Sequence, residues 1–280
     1  MKIRLDKLLV ERGLVPTRER AQAMILAGRV LVSEQKQDKP GASIPEDASI
    51  RLLGADLRYV SRGGLKLEAA LAHWRIDLRD RFCLDVGAST GGFTDCMLQH
   101  GAARVLAIDT GYGQIAQTLR DDPRVSLMER TNARLLNPGD LPPGISLLAV
   151  DVSFISATLV LPPVLAALGH STAPANTAEV LKGHDFSRAE SLAKEGGASA
   201  PERNRSLFLE AVVLIKPQFE AGRERVGKGG IVRDPAAHQF AIDRVRACVE
   251  QIGGISIDTT DSPITGAEGN REFLLHATWP

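Results

Sequence analysis

Two lysines and two acids stand where charged side chains could move a proton. Lys66 lies in Ser61-Arg62-Gly63-Gly64-Leu65-Lys66-Leu67, and Asp151 closes an apolar run. Lys216 opens Lys216-Pro217-Gln218-Phe219-Glu220, and Glu272 stands in Gly269-Asn270-Arg271-Glu272-Phe273. If they converge, they make a general-base device in which two carboxylates and a second ammonium tune one lysine. Taken singly, each reads better as a surface charge or a strand cap. The sequence gives the four positions but not their convergence.

A second stretch points to a nucleotide-type cofactor. Leu84-Asp85-Val86-Gly87-Ala88-Ser89-Thr90-Gly91-Gly92-Phe93-Thr94 runs from a buried strand through a glycine-rich loop into a helix. Glycine permits φ > 0 and close approach of the backbone to a ligand, and amides at a helix start attract electron-rich groups. Asp109 closes the next apolar run, where a ribose-binding acid belongs. The plain alternative is an ordinary α/β turn, and the paired acid argues against it. The loop lacks G-x-G-x-x-G spacing, which counts against a nicotinamide-dependent oxidoreductase.

The elements that must position these residues alternate. Strands are predicted at 82–86, 104–108, 124–128, 146–150 and 211–215, with helices at 93–100, 114–119, 159–168 and 235–252. A further helix at 65–74 precedes them, and two final strands at 256–260 and 271–277 lack an intervening helix. This is an α/β pattern with a doubly wound, mostly parallel sheet and an antiparallel edge. Residues 169–206 are rich in Ala, Ser, Glu, Lys and Gly, and read as a surface insertion.

Residues 1–60 form a separate small module. Leu5, Leu8, Leu9 and Leu14 keep helical spacing, Thr17 is placed to cap a second helix, and Gly28 to end it. Strands follow at 30–32 and 49–52. Across 280 residues the formal net charge is +0, but this module holds 11 Lys and Arg against 8 Asp and Glu, while the rest holds 23 against 26. A basic module on a near-neutral body suggests a polyanionic partner. The cations Lys2, Arg4, Lys7, Arg18, Arg20 and Arg29 suit phosphate contacts, and such binding weakens as salt rises. The plain alternative for each is a solvated helix face.

Composition bounds the rest. With 44% hydrophobic and 24% charged residues the chain reads as an ordinary globular protein. Its three cysteines, Cys83, Cys96 and Cys248, have no metal-binding spacing, so no metal is expected and a reducing cytoplasm is the default. The charged N-terminus predicts no secretory signal. Asp151 and Pro162-Pro163 argue against a membrane span in the apolar segment 145–168.

Two resemblances sharpen this reading. Arg4-Leu5-Asp6-Lys7-Leu8-Leu9, Thr17-Arg18-Glu19-Arg20-Ala21-Gln22 and Ile25-Leu26-Ala27-Gly28-Arg29-Val30-Leu31-Val32 resemble an S4 RNA-binding domain. Together with the four motifs above and Asp151-Val152-Ser153-Phe154-Ile155-Ser156, nearly the whole chain resembles the TlyA family. That family, also labelled haemolysin A, joins an S4 domain to an FtsJ-type methyltransferase. The resemblance implies a Rossmann-like methyltransferase at 61–280 behind an S4-like α+β domain at 1–60. It implies transfer of a methyl group from S-adenosylmethionine to a cytidine ribose 2′-hydroxyl of ribosomal RNA, with ribosomal RNA or ribosomal subunits as partners. It maps a catalytic set onto Lys66, Asp151, Lys216 and Glu272, with Lys216 central. The cofactor would meet Asp85, Gly87, Ala88, Ser89, Thr90, Gly91, Gly92, Phe93, Thr94, Asp109 and Phe154. RNA would meet Arg4, Arg18 and Arg20. A non-enzymatic ribosome-assembly factor and a membrane-lysing protein are the competing classes; the second has no amphipathic segment to support it.

Overall fold

The structure, a computed structural model, describes residues 2–15, 17–53, 58–170, 208–266 and 268–280. The insertion expected at 169–206 therefore lies, beyond residue 170, outside the described residues. The chain divides into two compact units, 1–60 and 61–280.

In the first unit, strand β1 (Lys2–Arg4) leads into helix α1 (Leu5–Glu11), and helix α2 (Arg18–Leu26) follows. Thr17 caps α2, its hydroxyl accepting the Arg20 N–H at 3.2 Å. Strand β2 (Val30–Val32) pairs antiparallel with β3 (Gln35–Gln37) and β5 (Ile50–Leu52), and β4 (Ser43–Pro45) pairs with β1. Leu5, Leu8, Leu9, Ala21, Met24 and Ile25 pack with Val30, Val32 and Ile44 into a single core. Each such leucine contributes roughly 1.5–3 kcal/mol relative to exposure. Arg4 and Lys2 belong to a strand, not to a helix face as their spacing had suggested.

The second unit begins with α3 (Gly63–Trp74), two residues earlier than its apolar periodicity implies. Strand β6 (Phe82–Val86), helix α4 (Gly92–Gln99), strand β7 (Arg104–Ile108), helix α5 (Gln117–Arg120) and strand β8 (Val125–Met128) follow. Next come β9 (Ile145–Val150), a 3-10 turn at Ala157–Leu159, and α6 (Leu161–Ala167). The predicted single helix over 159–168 is thus two pieces, since Pro162 and Pro163 can occupy only the first turn of a helix. Strand β10 (Leu209–Ile215), helices α7 (Pro217–Glu220) and α8 (Pro235–Gln251), and strands β11 (Ile255–Asp261) and β12 (Phe273–Trp279) complete the unit.

The seven strands lie in the order β11-β12-β10-β9-β6-β7-β8. Those from β10 to β8 are parallel, while β12 is antiparallel to both neighbours. One sheet face buries Leu84, Val86, Leu148, Val150, Val213 and Ile215 with α6 and α8. The alternate residues, such as Cys83, Val105, Leu147 and Val212, are also buried, on the side where α4 meets β6 and β7. Burial on both faces explains the nearly unbroken apolar strands. The chain leaves β6 for β7 and β8, then crosses back to β9 on the other side of β6. That reversal puts a ligand crevice at the carboxyl ends of β6 and β9. Among the described residues no helix is long and apolar enough to cross a membrane.

Candidate active site

The crevice is built from strand exits. Beyond β6, Gly87 turns with φ +89°, and a Cβ there would collide with the Asp151 carbonyl at the end of β9. A glycine is therefore required where the two strand ends meet. Ser89 adopts φ +49° in the same loop and donates its N–H to Asp109 Oδ2 at 2.8 Å. Gly111 N–H donates to Asp109 Oδ1 at 2.7 Å. Asp109 thus ties the β6 loop to the β7 loop, and each oxygen keeps a lone pair for a ligand.

Two residues before Gly87, Asp85 is fully buried on β6. Thr94 Oγ1 donates to its Oδ2 at 2.6 Å, and its Oδ1 has no partner among the described residues. Burial pushes its carboxyl up to about 7, against the Thr94 hydrogen bond and with help from the negative charge of Asp151. A cavity of about 420 Å³ opens beyond the β6 exit, lined by Gly87, Ser89, Asp109, Asn132, Asp151 and Phe154 among others; Asp85 lies behind that lining. That size suits a small molecule.

The lysines and acids assort into two pairs. Lys216 Nζ lies 2.6 Å from Asp151 Oδ1 and donates to Ser153 Oγ at 2.7 Å. Lys66 Nζ lies 2.5 Å from Glu272 Oε2, with side chains only 10% and 2% exposed. Register explains the proximity. Ile215 pairs with Phe273 at the end of the β10–β12 ladder, so Lys216 and Glu272 are the next residues outward on adjacent strands. Asp151 extends β9, the other neighbour of β10. The sheet places the exits bearing Asp151, Lys216 and Glu272 side by side, and α3 supplies Lys66.

A family model described as FtsJ-like methyltransferase matches residues 59–279, and one for the S4 domain matches residues 3–48. A Bacillus subtilis protein named YqxC, a candidate rRNA methyltransferase, is 46% identical over 280 residues, all of this chain and 86% of that one. A Mycobacterium tuberculosis protein, 16S/23S rRNA (cytidine-2′-O)-methyltransferase TlyA, is 36% identical over 273 residues, 97% of this chain and 88% of that one. The chain is an FtsJ-like methyltransferase of the TlyA family with an S4 domain. A solved structure of a candidate hemolysin from Streptococcus thermophilus is also similar, with a TM-score of 0.63 and 40% identity over 99% of this chain and 88% of that one.

Not every residue flagged for the cofactor lines the methyltransferase cavity. Gly87, Ser89, Asp109 and Phe154 do. Phe154 is 91% exposed, adopts φ +65°, and sets its ring 5.5 Å from that of Phe219. Ala88 and Thr90 belong to the connecting turn, where the Thr90 carbonyl accepts the Ala116 N–H. Gly91 and Gly92 start α4, and Phe93 and Thr94 are buried in it. Thr94 acts on the site through Asp85. The cavity also recruits Gln114, Thr131, Asn132 and Arg134, which sequence reasoning missed. Thr131 and Asn132 lie just beyond β8, another carboxyl-end position, and that was the available signal.

In the N-terminal unit the structure organises the cations around an acid. Asp6 is fully buried and accepts from Arg4 at 2.9 and 3.1 Å, from Arg18 at 3.0 Å and from Gln22 at 3.0 Å. The Arg4 hydrogen bonds above all hold its carboxyl well below the usual carboxylate range. Both guanidinium side chains remain 52% exposed, with further N–H groups facing solvent. Arg20 donates to the Tyr59 carbonyl at 3.3 Å.

Proposed function

We propose that the protein methylates the 2′-hydroxyl of a cytidine ribose in ribosomal RNA, taking the methyl group from S-adenosylmethionine. The observation that carries this reading is the pair of lysine–carboxylate contacts, Lys216–Asp151 and Lys66–Glu272, at the sheet edge that bears the cavity. The relatives named for rRNA methylation support it.

The residues present fit the cofactor. Asp85 keeps an unfilled, buried carboxylate oxygen, Gly87 lets the β6 and β9 exits close up into one cavity wall, and Asp109 keeps lone pairs free. These residues, with Ser89, Asn132 and the exposed ring of Phe154, would hold it. When bound, S-adenosylmethionine supplies an electrophilic methyl group on a sulfonium.

The chain supplies alignment and proton handling. Positioning a hydroxyl beside an electrophile is worth roughly 7–11 kcal/mol at best, and a well-placed base adds about 10²–10⁴-fold. Lys216 is the group at the acceptor. As an ammonium it donates to the ribose oxygen and orients it; as an amine it accepts the hydroxyl proton. Asp151 and Ser153 fix its Nζ. Lys66 and Glu272 hold the second charge pair beside them. In the S4 unit, Arg4, Arg18 and Arg20 contact RNA phosphates. The test is to map 2′-O-methyl groups on ribosomal RNA from cells with and without the protein. Loss of methylation at a cytidine, restored by purified protein and S-adenosylmethionine, supports the reading. Identical maps would overturn it.

A further inference from the structure

Glu220 belongs to neither lysine–carboxylate pair, yet it joins the loops that carry one of them. It ends α7, the single turn that follows Lys216, and is 2% exposed. Its Oε2 accepts from Ser156 Oγ at 2.5 Å and its Oε1 from the Ala157 N–H at 2.7 Å. Its own carbonyl accepts from Arg244 of α8 at 2.9 Å. One side chain thus spans from the exit of β10 to the exit of β9.

The β9 exit has reason to be held. Phe154, in its middle, sits in a left-handed conformation that a bulky L-residue adopts only when its surroundings enforce it. Lys216 fastens the loop at Ser153, and Glu220 fastens it again at Ser156 and Ala157. Ser156 Oγ in turn accepts the Thr158 N–H at 3.2 Å, which sets the 3-10 turn that follows. A carboxyl buried in apolar surroundings is costly unless hydrogen-bonded, and burial raises the proton affinity of this one. Its two hydrogen bonds to the β9 exit offset that cost and fix its geometry.

Resting on the methyl-transfer reading above, we propose that Glu220 is a positioning residue that clamps the Ser153–Ala157 loop and so sets the alignment of Lys216, Asp151 and Ser153. It touches no reacting atom. The experiment compares Glu220→Ala, Glu220→Gln, Glu220→Asp and the milder Ser156→Ala in the full chain. It measures kcat and KM with ribosomal RNA, S-adenosylmethionine binding by calorimetry, and amide exchange at Ala157. Glu220→Ala should lower kcat about 10²-fold, the cost of a misplacement near 1 Å, while KM and cofactor affinity stay within about twofold. Glu220→Gln should recover most of kcat, since its amide still accepts from Ala157 and can donate to Ser156. Glu220→Asp, one methylene shorter, should behave like Glu220→Ala. The double variant Glu220→Ala/Ser156→Ala should be no worse than Glu220→Ala alone. Full kcat in Glu220→Ala, or an active Glu220→Asp beside an inactive Glu220→Gln, would overturn the clamp. If the wild type methylates no ribosomal RNA, the functional reading fails separately. Exchange at Ala157 then decides: acceleration in Glu220→Ala upholds the clamp, and unchanged protection removes it.

Discussion

Asp6 in the N-terminal unit and Asp85 in the catalytic unit are both fully buried carboxylates, and their environments drive them in opposite directions. Asp6 accepts four hydrogen bonds from Arg4, Arg18 and Gln22, and its carboxyl is held low. Asp85 accepts one from Thr94, keeps Oδ1 unfilled, and is pushed up to about 7. The difference separates an acid used for structure from one with capacity left over. Asp6 orients two guanidinium groups that cannot lose a proton, which suits phosphate binding. Asp85 stands buried behind the glycine loop of the cavity with one oxygen unfilled. The lysine pairs follow a third pattern: a buried Glu272 and a half-buried Asp151, each matched to a lysine.

The largest expected effect breaks one of those matched pairs. Glu272→Ala leaves the Lys66 ammonium buried without its partner, and should destabilise the catalytic unit by about 3–5 kcal/mol in urea denaturation. A change under 1 kcal/mol would mean that Lys66 finds water instead. The next effect follows from Asp85. Its native carboxyl titrates near 7, above its ordinary range near 3.8, so between those values the native state holds more protons than the unfolded state. Its contribution to stability therefore falls as pH rises from about 4 to 7 and is flat above, by up to about 4 kcal/mol. Saturating S-adenosylmethionine should flatten that slope if the cofactor completes Oδ1. The smallest effect is at Asp6, where the sign reverses. Its depressed carboxyl stabilises the N-terminal unit at pH values above the ordinary carboxylate range, and the contribution is lost as pH falls below it. Asp6→Ala should cost about 2 kcal/mol at neutral pH, and the cost should vanish in acid. Equal slopes for Asp6→Ala and Asp85→Asn would erase the distinction between the two acids.

Much of the catalytic scaffold is legible from residues alone, because apolar strands buried on both faces leave continuous runs. The runs around Leu84, Leu106, Leu148 and Val213 all became strands of one sheet. Strand-end logic also found Asp109, Asp151 and Lys216. It missed Asn132, since Glu129-Arg130-Thr131 separates it from the end of β8 and blurs the boundary. The small strand β3 escaped notice for a local reason. Its turn uses Ser33 and Glu34 at positive φ, where glycine or asparagine is the usual signal. Asp6 was hidden inside a helical pattern whose periodicity marks polar residues as exposed. Only tertiary folding brings Arg18 and Gln22 of the next helix onto it. Glu220 was equally invisible, because its partners lie 63 and 64 residues away.

The central claim is that Lys216 acts in chemistry, whereas the N-terminal arginines act in binding. The most direct test is Lys216→Arg in the full-length protein, with single-turnover methyl transfer to ribosomal RNA and both ligand affinities measured on one preparation. The guanidinium keeps the charge but cannot surrender a proton. S-adenosylmethionine and RNA affinities should stay within about threefold of wild type, while 2′-O-methyl transfer falls by at least about 10²-fold. Transfer by Lys216→Arg at the wild-type rate would contradict the account.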